Sequence, residues 1–395
     1  MYRIVYCNAY YYLIRPSIPM KFVFWLTLVT LFIIDHSLLA QGPLTDNPLK
    51  THLDSVVHRA AAAYLRQPNT VGISIGIYRN GQSYIYNYGE VKKGSKKLPT
   101  AVTFYNLGSV AKTFVGVLLA QAVVDKRAQL IDDIRQYLPG QYPNLSYQGQ
   151  PVRLVNLANH TSALPKSAKT YPASVRDSLA QLTVLRQLAF YGRYNQDSLL
   201  RDMHGWRVDT LPGVAYVYNS NAMMVLSMLL GRIYQQPYEQ LFANYLRTHL
   251  NMHDTKVQLS ETDLHRVAQG YTSQGQAQPF GNLKGFYDGP SMNSTVHDML
   301  KYIQANLAET DPALRLSHQL TWGQFSEGAM GLGWKIEQSS ADGLRVMHSG
   351  STGLGFNTLC TMYPAKQTGF IIFVNETTSQ SQVTNLEQTI LRGLN

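Results

Sequence analysis

The sequence predicts an α/β (α+β) fold: an antiparallel sheet flanked by amino- and carboxy-terminal helices, with a mainly helical segment inserted between its strands. Three observations lead there. Apolar residues alternate with the period of strands near both chain ends. Between about residues 109 and 250 they recur with the period of helices, and Pro139, Pro143, Pro165, Pro172 and Pro212 punctuate that middle. The sheet part is expected at about 45–105 and 325–395 and the helical part at about 106–324, with a cleft at their junction as the natural place for a site.

Taken in order, 50–67 puts Leu53, Val56, Val57, Ala60, Ala61, Tyr64 and Leu65 on one helical face, and Pro68 ends it. In 71–78, Val71, Ile73, Ile75 and Ile77 alternate with small residues; Asn80-Gly81 then supplies a two-residue turn into a strand over 82–88, whose tyrosines share one hairpin face. The run 111–124 is a long apolar helix. Segments 344–349, 355–363 and 368–374 are three more strands joined by short turns, Trp334 is a core residue on a strand, and 382–394 closes the chain as a helix.

Composition narrows the function. Of the 395 residues, 45% are hydrophobic and 15% charged, enough apolar surface for a large core and too little charge for a disordered chain. No segment recurs at a fixed period, which excludes solenoids and propellers. The net charge of +10 is dispersed, so it reads as a solvated surface with no nucleic-acid partner. Two cysteines, Cys7 and Cys360, make neither a disulfide framework nor a zinc pair. His249 and His253 have helical metal spacing but no nearby third ligand, so they read as a solvated helix end. Neither metal nor cofactor is expected.

The amino terminus reads as an address. Met20-Lys21 precedes an unbroken apolar run, 22–34, then Asp35, His36 and the small residue Ala40 before Gln41. This is the pattern of a signal peptide over 20–40, cleaved near Ala40/Gln41, and predicts a periplasmic or secreted protein with no stable membrane span after cleavage. Residues 1–19, tyrosine-rich and ahead of a better start at Met20, suggest a misplaced start codon. Cleavage would remove Arg3, Arg15 and Lys21 against the single acidic Asp35, lowering the charge from +10 to +8.

Chemistry is suggested by Ser109, the one serine with a lysine, Lys112, three positions on. Positions i and i+3 share a helix face, so the ammonium can reach the hydroxyl, and the helix start offers a backbone N–H to a developing oxyanion. A serine hydroxyl needs such a nearby base to attack a carbonyl. A capping serine followed by a solvated lysine would give the same pair.

Four segments carry a resemblance. They are Leu107-Gly108-Ser109-Val110-Ala111-Lys112-Thr113-Phe114; 152–165, with His160-Thr161-Ser162-Ala163-Leu164-Pro165; Pro212-Gly213 followed by Tyr218-Asn219-Ser220; and His348-Ser349-Gly350. In this order they resemble the serine β-lactamase-related hydrolases of the class C type, from Val71 to Asn375. That family includes class C β-lactamases, D-alanyl-D-alanine peptidases, D-aminopeptidases, carboxylesterases and nylon-oligomer hydrolases. The resemblance implies a class C β-lactamase-like fold and Ser109, Lys112, Tyr218 and His348 as catalytic residues, with Lys112 and Tyr218 jointly the base. It further implies Ser220, Gly350 and Ser351 at the substrate, and an oxyanion hole from the backbone N–H groups of Ser109 and Ser351, the latter following the His-Ser-Gly triplet on an edge strand.

The chain departs from the family pattern at three positions, and the last two bear on substrate. Ala163 replaces the family's usual glycine, Ser220 its usual asparagine, and His348 the lysine of β-lactamases. A short hydroxyl lacks the reach of an amide, and histidine is mostly neutral near pH 7, so recognition of an acylamide and a carboxylate is weakened. The expectation is hydrolysis of a small ester, amide or peptide; the alternative is a class C-type β-lactamase or a penicillin-binding protein that acylates with slow turnover. Retention of Ser109, Lys112 and Tyr218 argues against a non-catalytic scaffold. The stretch 166–211 matches no motif and is expected to line or cover the cleft, and His160 to be a buried, hydrogen-bonded residue.

Overall fold

The computed structural model describes residues 42–166, 173–281, 291–339 and 342–394. The expected signal segment 20–40, its cleavage site, residues 1–19 and Cys7 lie outside the described residues. The helices that matter here are α1 (His52–Leu65), α2 (Ala111–Val124), α3 (Val184–Tyr191), α4 (Ser220–Ile233), α5 (Val296–Ala308) and α6 (Gln380–Gly393). The strands are β1 (Gly72–Arg79), β2 (Gln82–Gly89), β3 (Trp322–Gln324), β4 (Gly328–Met330), β5 (Lys335–Ser339), β6 (Gly343–Thr352), β7 (Phe356–Tyr363) and β8 (Thr368–Val374).

The strands form one eight-stranded sheet in the order β2-β1-β8-β7-β6-β5-β4-β3, antiparallel throughout. Its two halves join where β1 pairs with β8, Ile73 opposite Val374, so residues some three hundred positions apart share a ladder. Strands β1, β2, β6, β7 and β8 occupy the segments expected from alternation. Strands β3 to β5 were not expected: at three to five residues they are too short to show a period. Trp334, expected on a strand, is fully buried but lies just ahead of β5.

One expectation is corrected. The strand carrying Ser351 is interior to the sheet, with β7 on one side and β5 on the other. Its pairing with β5 nevertheless stops at Met347, while the ladder with β7 runs on to Thr352, so the stretch from His348 onward has a strand on one side only.

Alternation decides what each sheet face meets. Ile73, Ile75 and Ile77 of β1 pack with Val57, Ala61 and Tyr64 of α1 and with Leu386 and Ile390 of α6, joining both chain ends in one core. Helix α1 starts at Thr51, whose hydroxyl accepts the Asp54 N–H while the Asp54 carboxylate accepts the Thr51 N–H; this capping box sets its start two residues inside the expected one. On the opposite face Tyr105 stacks on Phe373 at 4.8 Å, and Gly76 lets Val296 and Leu300 of α5 approach.

Helix α2 is apolar nearly all round, as befits a helix buried from Ala111 to Ala120. Phe114 stacks on Tyr302 at 4.0 Å, and the Tyr302 hydroxyl donates to Thr113 Oγ1 at 3.0 Å. Its back presses on the chain ahead of β5: a Cβ on Gly116 would lie 1.9 Å from the Leu332 carbonyl oxygen. Alanine in place of glycine ordinarily strengthens a helix by about 1 kcal/mol. Here the added methyl overlaps backbone, and Gly116→Ala is expected to lower the unfolding free energy by about 2 kcal/mol or more in urea titration; a gain in stability would show that the contact does not constrain α2.

Candidate active site

The chain enters the site through a short 3-10 turn, Gly108–Val110, ahead of α2. Asn106 shapes it, its Oδ1 accepting the Gly108 N–H at 2.9 Å, while the Leu107 N–H donates to the Met292 carbonyl at 2.8 Å. Gly108 has φ +51°, and a Cβ there would sit 2.9 Å from the Ser351 nitrogen. A Cβ on Gly350 would sit 2.1 Å from the Leu107 oxygen and 3.0 Å from the Ser109 nitrogen. Two glycines therefore let the turn lie on β6 backbone to backbone, which brings the nitrogens of Ser109 and Ser351 to the same place. Ser109 stands in this turn, one step before the α-helix in which the sequence placed it. It is not a cap, since α2 begins after Val110 with no side-chain cap.

Lys112, only 4% exposed, donates from Nζ to Ser109 Oγ at 3.0 Å. The Tyr218 hydroxyl donates to the same oxygen at 2.5 Å, and the Lys112 ammonium lies 5.1 Å from the Tyr218 ring centroid. Tyr218 is 37% exposed, so this face of the site meets solvent.

The 160–165 segment builds the cradle for Tyr218. Gly213 N–H donates to the Thr161 carbonyl and Val217 N–H to that of His160, each at 2.8 Å. His160 is buried, as expected, and accepts the Asn219 N–H on Nδ1 at 3.3 Å; its ring also packs 4.6 Å from that of Tyr218, a site contact the sequence did not suggest. Ala163 has φ +56°, a conformation that explains the family's preference for glycine there and costs a residue with a Cβ about 1–2 kcal/mol.

His348 lies buried on β6 with its ring 6.4 Å from that of Tyr218. Its Nδ1 is 2.8 Å from the Ser349 carbonyl, which only accepts, so Nδ1 carries the proton and Nε2 is an acceptor. Burial first, and the Lys112 ammonium second, push His348 down to about 3. The same two causes in the same order push His160 down to about 3. Both rings are neutral, and neither Nε2 has a hydrogen-bond partner among the described residues.

Ser220, first residue of α4, lines a cavity of about 330 Å³ with Ser109, Lys112 and Ser351. The adjacent Asn219 amide is no substitute for the family's asparagine. It caps α4, accepting the Ala222 N–H at 3.2 Å, and donates to the Leu164 carbonyl at 2.7 Å. The motifless stretch 166–211, of which 167–172 lie outside the described residues, contributes α3, whose Val184, Gln187, Leu188 and Tyr191 form one wall of the cavity. The stretch was expected to line or cover the cleft; which of its residues do so was not legible in the sequence. His249 and His253 stand apart from all this, the first 3.3 Å from an Asp311 oxygen and the second bonded to Asn251.

A serine oxygen held between a buried lysine and a tyrosine, at the start of a helix laid on an antiparallel strand, defines a serine hydrolase. The family profile described as Beta-lactamase matches residues 57–393. A β-lactamase of Lysobacter lactamgenus is 24% identical over 341 residues, 84% of this chain and 82% of that one. The D-alanyl-D-alanine-carboxypeptidase/endopeptidase AmpH of Escherichia coli K12 is 24% identical over 353 residues, 85% of this chain and 86% of that one. Among solved structures, the β-lactamase/D-alanine carboxypeptidase from Yersinia pestis complexed with citrate superposes with a TM-score of 0.73 at 23% identity, covering 87% of this chain and 99% of that one. A class C β-lactamase gives 0.73 at 21% identity, covering 89% and 98%. The chain belongs to the β-lactamase family, and its fold is the class C β-lactamase-like one expected from the sequence.

The neutral histidines set an acid limb of stability. In the unfolded chain each takes up a proton below about pH 6.5, whereas in the fold it resists until about 3. Their contribution is therefore complete above about pH 6.5 and is lost as pH falls from there towards 3, each by up to about 1.4 kcal/mol per pH unit. Melting temperatures of His348→Asn are expected to fall less steeply between pH 7.5 and 4.5 than those of the unmodified protein; parallel curves would show that His348 is not held neutral.

Proposed function

We propose that the protein is an exported serine hydrolase that works through an acyl-enzyme on Ser109 and hydrolyses small esters or amides. The observation that carries this reading is Ser109 Oγ between Lys112 Nζ at 3.0 Å and the Tyr218 hydroxyl at 2.5 Å. For the attack one member of the Lys112–Tyr218 pair has given up its proton, and that member takes the Ser109 proton while Oγ attacks the substrate carbonyl, so the two act jointly as the base. The backbone N–H groups of Ser109 and Ser351 receive the negative charge that forms on the carbonyl oxygen. Tyr218 then passes the proton to the leaving group and, from its solvent-facing position, activates the water that releases the acid.

Substrate preference follows from what faces the reacting carbonyl. His348 keeps a buried, neutral ring beside Tyr218 where a β-lactamase has a charged lysine, and Ser220 presents a hydroxyl to the cavity where an amide would engage an acylamide. Both favour an ester or simple amide over a β-lactam. The apolar run 22–34 behind Met20-Lys21 supports export to the periplasm or beyond. The second reading is a class C-type β-lactamase, or a penicillin-binding protein that acylates with slow turnover. In its favour are the names of the relatives and Lys335, a half-buried ammonium near enough to act on His348.

Short p-nitrophenyl esters are expected to have a higher kcat/KM than a chromogenic cephalosporin, with Ser109→Ala inactive on both. Combining Ser220→Asn with His348→Lys should shift the ratio towards the cephalosporin by about a hundredfold, two polar contacts of about 1–3 kcal/mol each being restored. Lactamase-like turnover with esters left nearly untouched would replace the esterase reading with the second one.

Lys112→Ala and Tyr218→Phe are each expected to lower kcat by about a hundredfold or more, and the double variant to lose little beyond the worse single one, because groups that share one proton act as a unit. Fully additive losses in that cycle would assign them to different steps.

A further inference from the structure

We infer that the acyl half of the substrate is an apolar group of medium length and that helix α3 provides its binding surface; this deepens, and rests on, the acyl-enzyme reading of Ser109. The cavity beside Ser109 has Ser220, Ser351 and Leu354 on one side and the α3 face on the other, and neither Tyr218 nor His348 lines it. If Tyr218 hands the leaving group its proton, that group departs on the Tyr218 side. The group that stays on Ser109 then points into the cavity.

Helix α3 is built for such an occupant. Val184, Gln187, Leu188 and Tyr191 follow the i, i+3, i+4, i+7 spacing of a single helix face. All four are half-buried, while Leu185, Arg186 and Ala189 between them are exposed. No residue of α3 is fully buried, and Val184, Leu188 and Tyr191 belong to neither hydrophobic core. The apolar stripe of α3 thus faces the cavity beside Ser109 and lies outside both buried cores.

Three of the polar side chains around the cavity are engaged with the protein itself. Asn106 accepts from Gly108 on Oδ1, and donates from Nδ2 to Ser291 Oγ at 3.1 Å and to Asn293 Oδ1 at 3.4 Å. Thr352 Oγ1 accepts from the Leu354 and Phe356 N–H groups at 3.3 Å each, and Gln187 Nε2 donates to the Leu182 carbonyl at 3.0 Å. The wall is therefore mixed: Ser109, Lys112, Ser220 and Ser351 line it beside the nucleophile, and its carbon comes from Val184, Leu188, Leu354 and the Tyr191 ring. At about 330 Å³ the cavity lies at the small end of the range of about 300–1,000 Å³ for ligand pockets, which suits an acyl chain of medium length and not a long lipid tail.

The test is kcat/KM over p-nitrophenyl esters from acetate to dodecanoate, with Ser109→Ala as the blank. Each buried methylene is worth about fourfold, so hexanoate is expected to exceed acetate by more than about tenfold, with a decline at longer chains. Leu188→Asp, which puts a carboxylate on the α3 face, should lower the hexanoate-to-acetate ratio by about tenfold or more. Val184→Phe, which keeps the face apolar and fills space, should move the optimum to a shorter chain; melting curves of both variants report folding. A ratio unchanged by Leu188→Asp together with an optimum unmoved by Val184→Phe overturns the inference, and Ser109-dependent acetate hydrolysis would then leave the acyl-enzyme reading standing. No hydrolysis of any ester and no fluorophosphonate adduct on Ser109 would overturn both.

Discussion

Two glycines facing each other across a backbone contact, Gly108 in the turn before α2 and Gly350 on β6, are the constraint on which the site depends. Side chains at either position would overlap backbone atoms, so the turn could not lie on the strand. With the contact made, Ser109 and Ser351 bring their nitrogens together, and the register of α2 is set. Lys112 then reaches Ser109 because it stands one turn further along a helix that cannot shift: Gly116 is pressed on the Leu332 carbonyl and Phe114 on Tyr302. The contact falls where β6 loses its pairing with β5, so the sheet ends its ladder on that side where it takes up the turn.

A single buried ammonium organises the electrostatics. Around Lys112 the polar groups are the Ser109 hydroxyl, the Tyr218 ring and, further off, the imidazoles of His160 and His348. Burial alone disfavours protonated imidazoles, and a neighbouring cation disfavours them further, so both rings are neutral and contribute directional hydrogen-bonding atoms instead of charge. The tautomers follow from their partners. His348 donates from Nδ1 to a carbonyl and keeps an acceptor at Nε2, whereas His160 accepts on Nδ1 and carries its proton on Nε2. Tyr218 is thus flanked by one acceptor and one donor, both neutral.

Much of this was legible in the sequence where period or spacing had room to show. The strands at both chain ends span seven to ten residues, long enough for alternation, and the serine–lysine spacing fixes a shared helix face before any fold is known. The misses have physical reasons. Strands β3 to β5 are too short to carry a period, and the position of β6 inside the sheet depends on them. His160 was readable as buried, but its contact with Tyr218 joins segments separated by nearly sixty residues and rests on backbone hydrogen bonds that no side-chain pattern encodes. The stretch holding α3 was expected to line or cover the cleft, but its half-buried face was not singled out, since that face meets a cavity and not a core.

That last point separates chemistry from specificity. Ser109, Lys112 and the Ser351 nitrogen are tied to backbone contacts, where an added methyl group would overlap backbone atoms. Helix α3 touches the same cavity from an inserted segment and puts no fully buried residue into the protein. A substitution on its inner face changes what the cavity accepts while removing little of the buried area that stabilises the fold, because most of the loss on truncating a side chain comes from burial. Ser220 in the cavity wall, the buried His348 and Ala163 in the segment that cradles Tyr218 differ from the family pattern, whereas Gly108, Ser109, Lys112, Tyr218 and Gly350 keep to it. None of the departures falls on Ser109, Lys112 or Tyr218, which is why the reaction is easier to read from this chain than the substrate.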